Sequence, residues 1–135
     1  MALATSVAYA IDNPDTPDEV ATFEQRAQPL EENFSSQTST LGLSQAGVAY
    51  AKFLDKELNR AYQLLLKKVD APKAREQLRK SQRAWLAYYQ AEADFIWANW
   101  IPANFGSSYE LSRQGYRNSL VKERIKVLLN YLRNY

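Results

Sequence analysis

The sequence predicts an all-α domain, on three observations. Apolar residues recur at helical spacing over long stretches of the chain. Ala, Leu, Gln, Arg and Lys, which favour helix, are abundant. Four Gly and five Pro in 135 residues leave little material for a turn-rich β fold. That length fits one domain with a core of its own. Apolar content of 46% with 24% charged residues is the balance of a globular chain, not a disordered one.

The elements follow in order. Thr16-Pro17-Asp18-Glu19 reads as a helix start, with Thr16 as cap, Pro17 at the first position and Glu19 at the third. This helix is expected over about 17–28, because Pro29 disfavours helical geometry at Gln28. Ser35 to Thr40 is a polar connector. The first long helix is expected over about 43–69. Tyr50, Leu54, Leu58, Ala61 and Leu65 form its stripe, and Lys67 and Lys68 suit the dipole at its end. Asp70-Ala71-Pro72 breaks the pattern, and Pro suits the first turn of the next helix, about 72–100. Leu78, Gln82, Trp85, Tyr89, Glu92, Ile96 and Asn99 form a seam meant for a neighbour. The short turn makes these two helices an antiparallel hairpin. Ile101-Pro102 ends the second arm, residues 103–109 form a loop, and Ser108 can cap the last helix, about 109–133. That helix carries Val121, Ile125, Leu128, Leu132 and Tyr135 on one face.

Charge divides the chain. Asp12, Asp15, Asp18, Glu19, Glu24, Glu31 and Glu32 precede residue 37 with Arg26 as the one base, while the rest is basic. Residues 11–39 therefore read as an acidic N-terminal arm, free or laid against a helical domain spanning 40–135. Residues 1–10 are small and apolar and end in Ala8-Tyr9-Ala10. They read as the remnant of a secretory signal, or else as an Ala-rich start, since a basic segment and a longer apolar stretch are lacking. The first reading implies an exported protein. No apolar run approaches the roughly 20 residues of a membrane span.

The chain has no Cys and no His. This excludes thiol nucleophiles, His bases, disulfides and zinc sites built on N or S ligands. It has no glycine-rich phosphate loop and no carboxylate cluster, so the expectation is a non-catalytic protein with no metal and no cofactor. Asn59, Gln82 and Glu92 are polar residues set into apolar stripes. They read as a structural polar core in which Arg124 pairs with Glu92 and Asn59 and Gln82 tie the first two long helices. Trp85, Tyr88 and Tyr89 read as core. Trp97, Trp100, Asn104, Phe105, Gly106, Ser107 and Tyr109 are the expected partner-binding surface, since Trp and Tyr serve as binding anchors. Lys67, Lys68, Lys73, Arg75, Arg79, Lys80 and Arg83 cluster at the hairpin tip. They read as a solvated face before a grip on an anionic polymer, and no nucleic-acid partner is expected.

Asp55-x-x-Leu58-Asn59-x-x-Tyr62 is followed by Gln82-Arg83-Ala84-Trp85-Leu86-x-Tyr88-x-x-x-Glu92, then Gly106-Ser107 and Glu123-Arg124. Over about residues 40–132 this pattern resembles the LprI-like lysozyme-inhibitor family, small exported proteins of the bacterial envelope. The family's usual cysteines are missing. The resemblance puts their positions at about Ala46 and Ala93, where small side chains would let the hairpin arms approach closely. It implies a periplasmic or secreted protein whose partner is a lysozyme-type muramidase, blocked by occlusion of its cleft. Animal lysozymes are usually strongly basic and would be repelled by the basic body, a repulsion the acidic arm can offset. The alternative is a structural or adaptor module for a protein partner or an anionic envelope polymer, without hydrolase inhibition.

Overall fold

Asp18, not Thr16, caps the first helix: its carboxylate accepts from the Ala21 amide at 3.0 Å. The computed structural model describes residues 13–135, so the signal-like stretch 1–10 lies outside the described residues. Helix α1 spans Glu19–Ser35 and passes straight through Pro29 instead of ending before it. Pro29 is exposed, so its lost amide hydrogen bond is confined to the solvent side. The added turns bury Phe34 and bring Glu31 to its partners on two other helices. Tertiary contacts outweigh the local penalty here.

Helix α2 spans Thr40–Lys68, and Ser39 caps it by accepting from the Gly42 amide at 3.0 Å. Helix α3 spans Pro72–Asn99, with Pro72 at its first turn as expected. The Arg75 guanidinium donates to the carbonyls of Leu66 and Val69, satisfying the end of α2. The segment expected as a loop is itself helical. A single turn, α4 (Pro102–Phe105), leads into a 3-10 turn (Gly106–Ser108) and then α5 (Tyr109–Tyr131). Gly106 has φ 57° and ψ −139°, a combination that suits only a residue without Cβ. Ser108 does not cap α5; its hydroxyl donates to the Phe105 carbonyl at 2.7 Å.

The four long helices alternate in direction along the chain. Helix α1 runs against α2, as the pairs Arg26–Glu57 and Glu31–Tyr50 require, and against α5, as Glu24–Lys126 and Glu31–Lys122 require. Helices α2 and α5 run the same way and make the most extensive contact in the molecule. Together α1, α2 and α5 enclose the core of Phe23, Ala27, Leu54, Ala61, Leu65, Val121, Ile125 and Leu128. The described part of the acidic segment is thus built into the domain and is no free arm.

Helix α3 returns antiparallel along α5 at the edge of this core. The expected hairpin is present, both arms and the short turn, but its arms pack on α5 more than on each other. Ala46 is buried and Ala93 half-buried, yet these small residues do not draw α2 and α3 into close backbone contact. Only Gln82 and Ile96 of α3 are buried; Leu78, Trp85 and Tyr89 lean on the core and stay partly open. No helix among the described residues is long and apolar enough to cross a membrane.

Candidate partner-binding surface

Because α3 lies at the edge, its outer side chains have no cover. Phe95 is 61% exposed and Trp97 51% exposed. Near α4, two groups of rings form. In the first, the Arg113 guanidinium sits over the Trp97 ring at 4.3 Å and near the Tyr109 ring at 5.1 Å. Its Nη2 also donates to the Trp97 carbonyl at 2.9 Å, which fixes the arrangement. In the second, Trp100 stacks on Tyr116 with centroids 5.4 Å apart and meets Phe105 at 4.4 Å.

The structure therefore brings together Trp97, Trp100, Phe105 and Tyr109 of the expected surface. Asn104, Gly106 and Ser107 are exposed on the connector beside them. Sequence reasoning missed Arg113 and Tyr116. Their spacing from Tyr109, four and seven positions on, is the helical signal that places all three on one side of α5.

A cleft of about 320 Å³ opens between α3 and α5 beside these rings. Phe95, Trp100 and Tyr116 line it, together with Asn99, Glu92 and Glu123. Among the described residues no Lys or Arg lines it. Glu92 does not pair with Arg124. It is half-buried with water access, so it has no need of a buried partner. Arg124 instead donates from Nε to Gln82 Oε1 at 3.1 Å and from Nη2 to Ser81 Oγ at 3.3 Å. Burial pulls the Arg124 pKa below its usual value. Asn59 is exposed and ties no helices, whereas Gln82 is buried and ties α3 to α5, not to α2.

The polar ties that do join the core helices lie elsewhere. Arg26 forks onto Glu57, with Nε–Oε1 at 3.2 Å and Nη2–Oε2 at 2.5 Å, and Glu57 is buried. Arg60 reaches Glu19 at 3.3 Å from the same cluster. Glu31 Oε1 accepts from the Tyr50 hydroxyl at 2.7 Å and from Lys122 Nζ at 2.6 Å, linking α1, α2 and α5. Burial pushes the Glu31 pKa up, but the bonds from Lys122 and Tyr50 outweigh it and the net shift is downward. Burial, then the bond to Glu31, pushes the Tyr50 phenol far upward. These groups support the scaffold.

At the opposite end, Lys67, Lys68, Lys73, Arg79, Lys80 and Arg83 are exposed around the α2–α3 turn, while Arg75 is held by backbone carbonyls. Among the described residues no group of three His, Cys, Asp or Glu is placed to hold a metal ion.

The family model for the lysozyme inhibitor LprI matches residues 31–128, from the last turns of α1 into α5. No curated protein and no solved structure matches. The match takes in Tyr50, Glu92, Gly106 and Glu123 alike, across all of α2 and α3 and most of α5, and the chain belongs to the LprI lysozyme-inhibitor family.

Proposed function

We propose that the protein is a non-catalytic inhibitor of lysozyme or another peptidoglycan hydrolase, working in the periplasm or outside the cell. The end formed by α3, α4 and α5 covers the enzyme's saccharide cleft. One observation carries this reading beyond family membership: the exposed rings there are pre-ordered. Trp97 is locked to Arg113, and Trp100 is locked between Phe105 and Tyr116. Rigid rings bury contact area at little entropic cost, which is how interface anchors work. The exposed Asn104 side-chain amide and Ser107 hydroxyl offer donors to the carboxylates such a cleft carries.

The charge objection also weakens. Glu19, Glu24 and Glu31 meet bases of the basic body, so a basic enzyme does not face a uniformly basic surface. A second reading, adaptor binding to an anionic polymer, draws on the exposed lysines at the α2–α3 turn. A cell-wall lysis assay with purified protein separates the two. Inhibition of a c-type lysozyme or a bacterial muramidase at micromolar protein supports the first. The absence of inhibition against all of them, with steeply salt-dependent polymer binding, supports the second.

A further inference from the structure

The cleft between α3 and α5 differs from the other helix junctions in how its carboxylates are matched. At those junctions Glu19 meets Arg60, Glu24 meets Lys126, Glu31 meets Lys122, Asp55 meets Arg117 and Glu57 meets Arg26. Glu92 and Glu123 border one apolar cleft and have no ion-pair or hydrogen-bond partner among the described residues. Arg124 is adjacent to Glu123 in sequence, yet it turns away to Gln82 and Ser81. Two carboxylates on one cleft leave a negative potential that a cation would neutralise.

The walls favour the same kind of guest. Phe95 is largely exposed, and the stacked Trp100 and Tyr116 present ring surface to the cleft. Ring faces beside carboxylates attract a guanidinium or ammonium group, and they also shelter its aliphatic stem. The volume of about 320 Å³ suits one long side chain, not a helix or a strand.

We infer that this cleft receives a single arginine or lysine side chain presented by the protein partner. The identity of that partner as a basic hydrolase rests on the inhibitor reading above; the chemistry of the cleft does not. The inference assigns Glu92 and Glu123 to charge recognition, with Phe95, Trp100 and Tyr116 as the apolar sleeve.

The test uses the full chain and two capped tripeptides, acetyl-Gly-Arg-Gly-amide and its neutral citrulline counterpart. Binding is read from the indole N–H resonance of Trp100 in ¹H–¹⁵N spectra, alongside lysozyme inhibition. The arginine peptide is expected to shift the Trp100 resonance and the citrulline peptide is not. The Glu92→Gln/Glu123→Gln double variant is expected to melt as wild type, to lose the arginine-specific shift, and to inhibit at least roughly ten-fold less well. Equal shifts from both peptides would overturn the inference, as would a double variant that keeps the arginine-specific shift. Inhibition by wild type and double variant alike, with no arginine-specific shift, removes the cleft's role and leaves the inhibitor reading standing. An arginine-specific shift that depends on both carboxylates, without inhibition of any hydrolase, supports the cleft and removes that reading.

Discussion

Helices α2 and α3 are nearly equal in length, 29 and 28 residues, and both carry an apolar stripe at helical spacing, yet α2 buries seven residues and α3 two. The difference is one of neighbours. Helix α2 lies between α1 and α5, which cover it on two sides. Helix α3 has α5 as its main neighbour, and the inward face of α5 is already filled by α1 and α2. Periodicity states which way a helix faces; it does not state how much of that face is covered. The covered helix makes a scaffold, and the uncovered one leaves rings and carboxylates open to solvent.

The largest expected contrast comes from truncating each stripe. Leu54 is fully buried, so Leu54→Ala should cost about 2–5 kcal/mol in a denaturant titration. Trp85→Ala on α3 should cost less, despite the larger side chain, because Trp85 is only partly buried. An equal or greater loss at Trp85 would mean that α3 is as deeply packed as α2.

The Arg26–Glu57 fork is next. Arg26→Ala leaves the buried Glu57 carboxylate with only its longer contact to Arg60, at 4.0 Å. It should cost about 2 kcal/mol, less than the roughly 3–5 of fully buried pairs, because the Arg26 side chain is 34% exposed. Thermal melting of the variant checks this, and a change within error would show that Glu57 is solvated after all.

A smaller effect should appear with pH. The folded pKa of Glu31 lies below its unfolded value. Its contribution is therefore complete above the ordinary carboxylate range and is lost as pH falls through the lower, folded value. Glu31→Gln should lower stability at neutral pH by about 1 kcal/mol, discounted for its exposed part, and should flatten that acid dependence. Stability of wild type and variant, compared between neutral pH and pH 3, would expose an unchanged slope. The smallest effect belongs to α3: Glu92→Gln should change stability by less than about 0.5 kcal/mol, since no partner is lost. A larger loss in thermal melting would restore Glu92 to the structural polar core.

Most helix positions were legible because Pro72 and the stripe on α2 are local signals, although Ser39, read as part of a connector, caps α2 and starts it at Thr40, ahead of the expected 43. Three local signals misled. Thr16 reads as a cap, but Asp18 accepts the Ala21 amide instead. Pro29 reads as a stop, but burial of Phe34 and the bonds of Glu31 carry α1 past it. Ser108 reads as a cap, but its hydroxyl serves the preceding turn. The polar ties were the least legible part. Glu92 and Asn59 drew attention by sitting in apolar stripes, while Glu57 and Tyr50, which bind α1, look ordinary in sequence. Their roles depend on which helix arrives opposite, and stripes alone do not tell. The ring surface was partly legible, since aromatic density near residue 100 marked it. The cleft was not, because it exists only where α3 stands beside an already occupied α5.

Amide hydrogen exchange of the protein with and without a saturating lysozyme compares the two regions in one measurement. Binding is expected to slow exchange across residues 92–116 and to leave α1 and the middle of α2 unchanged. Slowing confined to α1, or to the basic turn around Lys67 to Lys80, would contradict the assignment of recognition to the α3–α5 end.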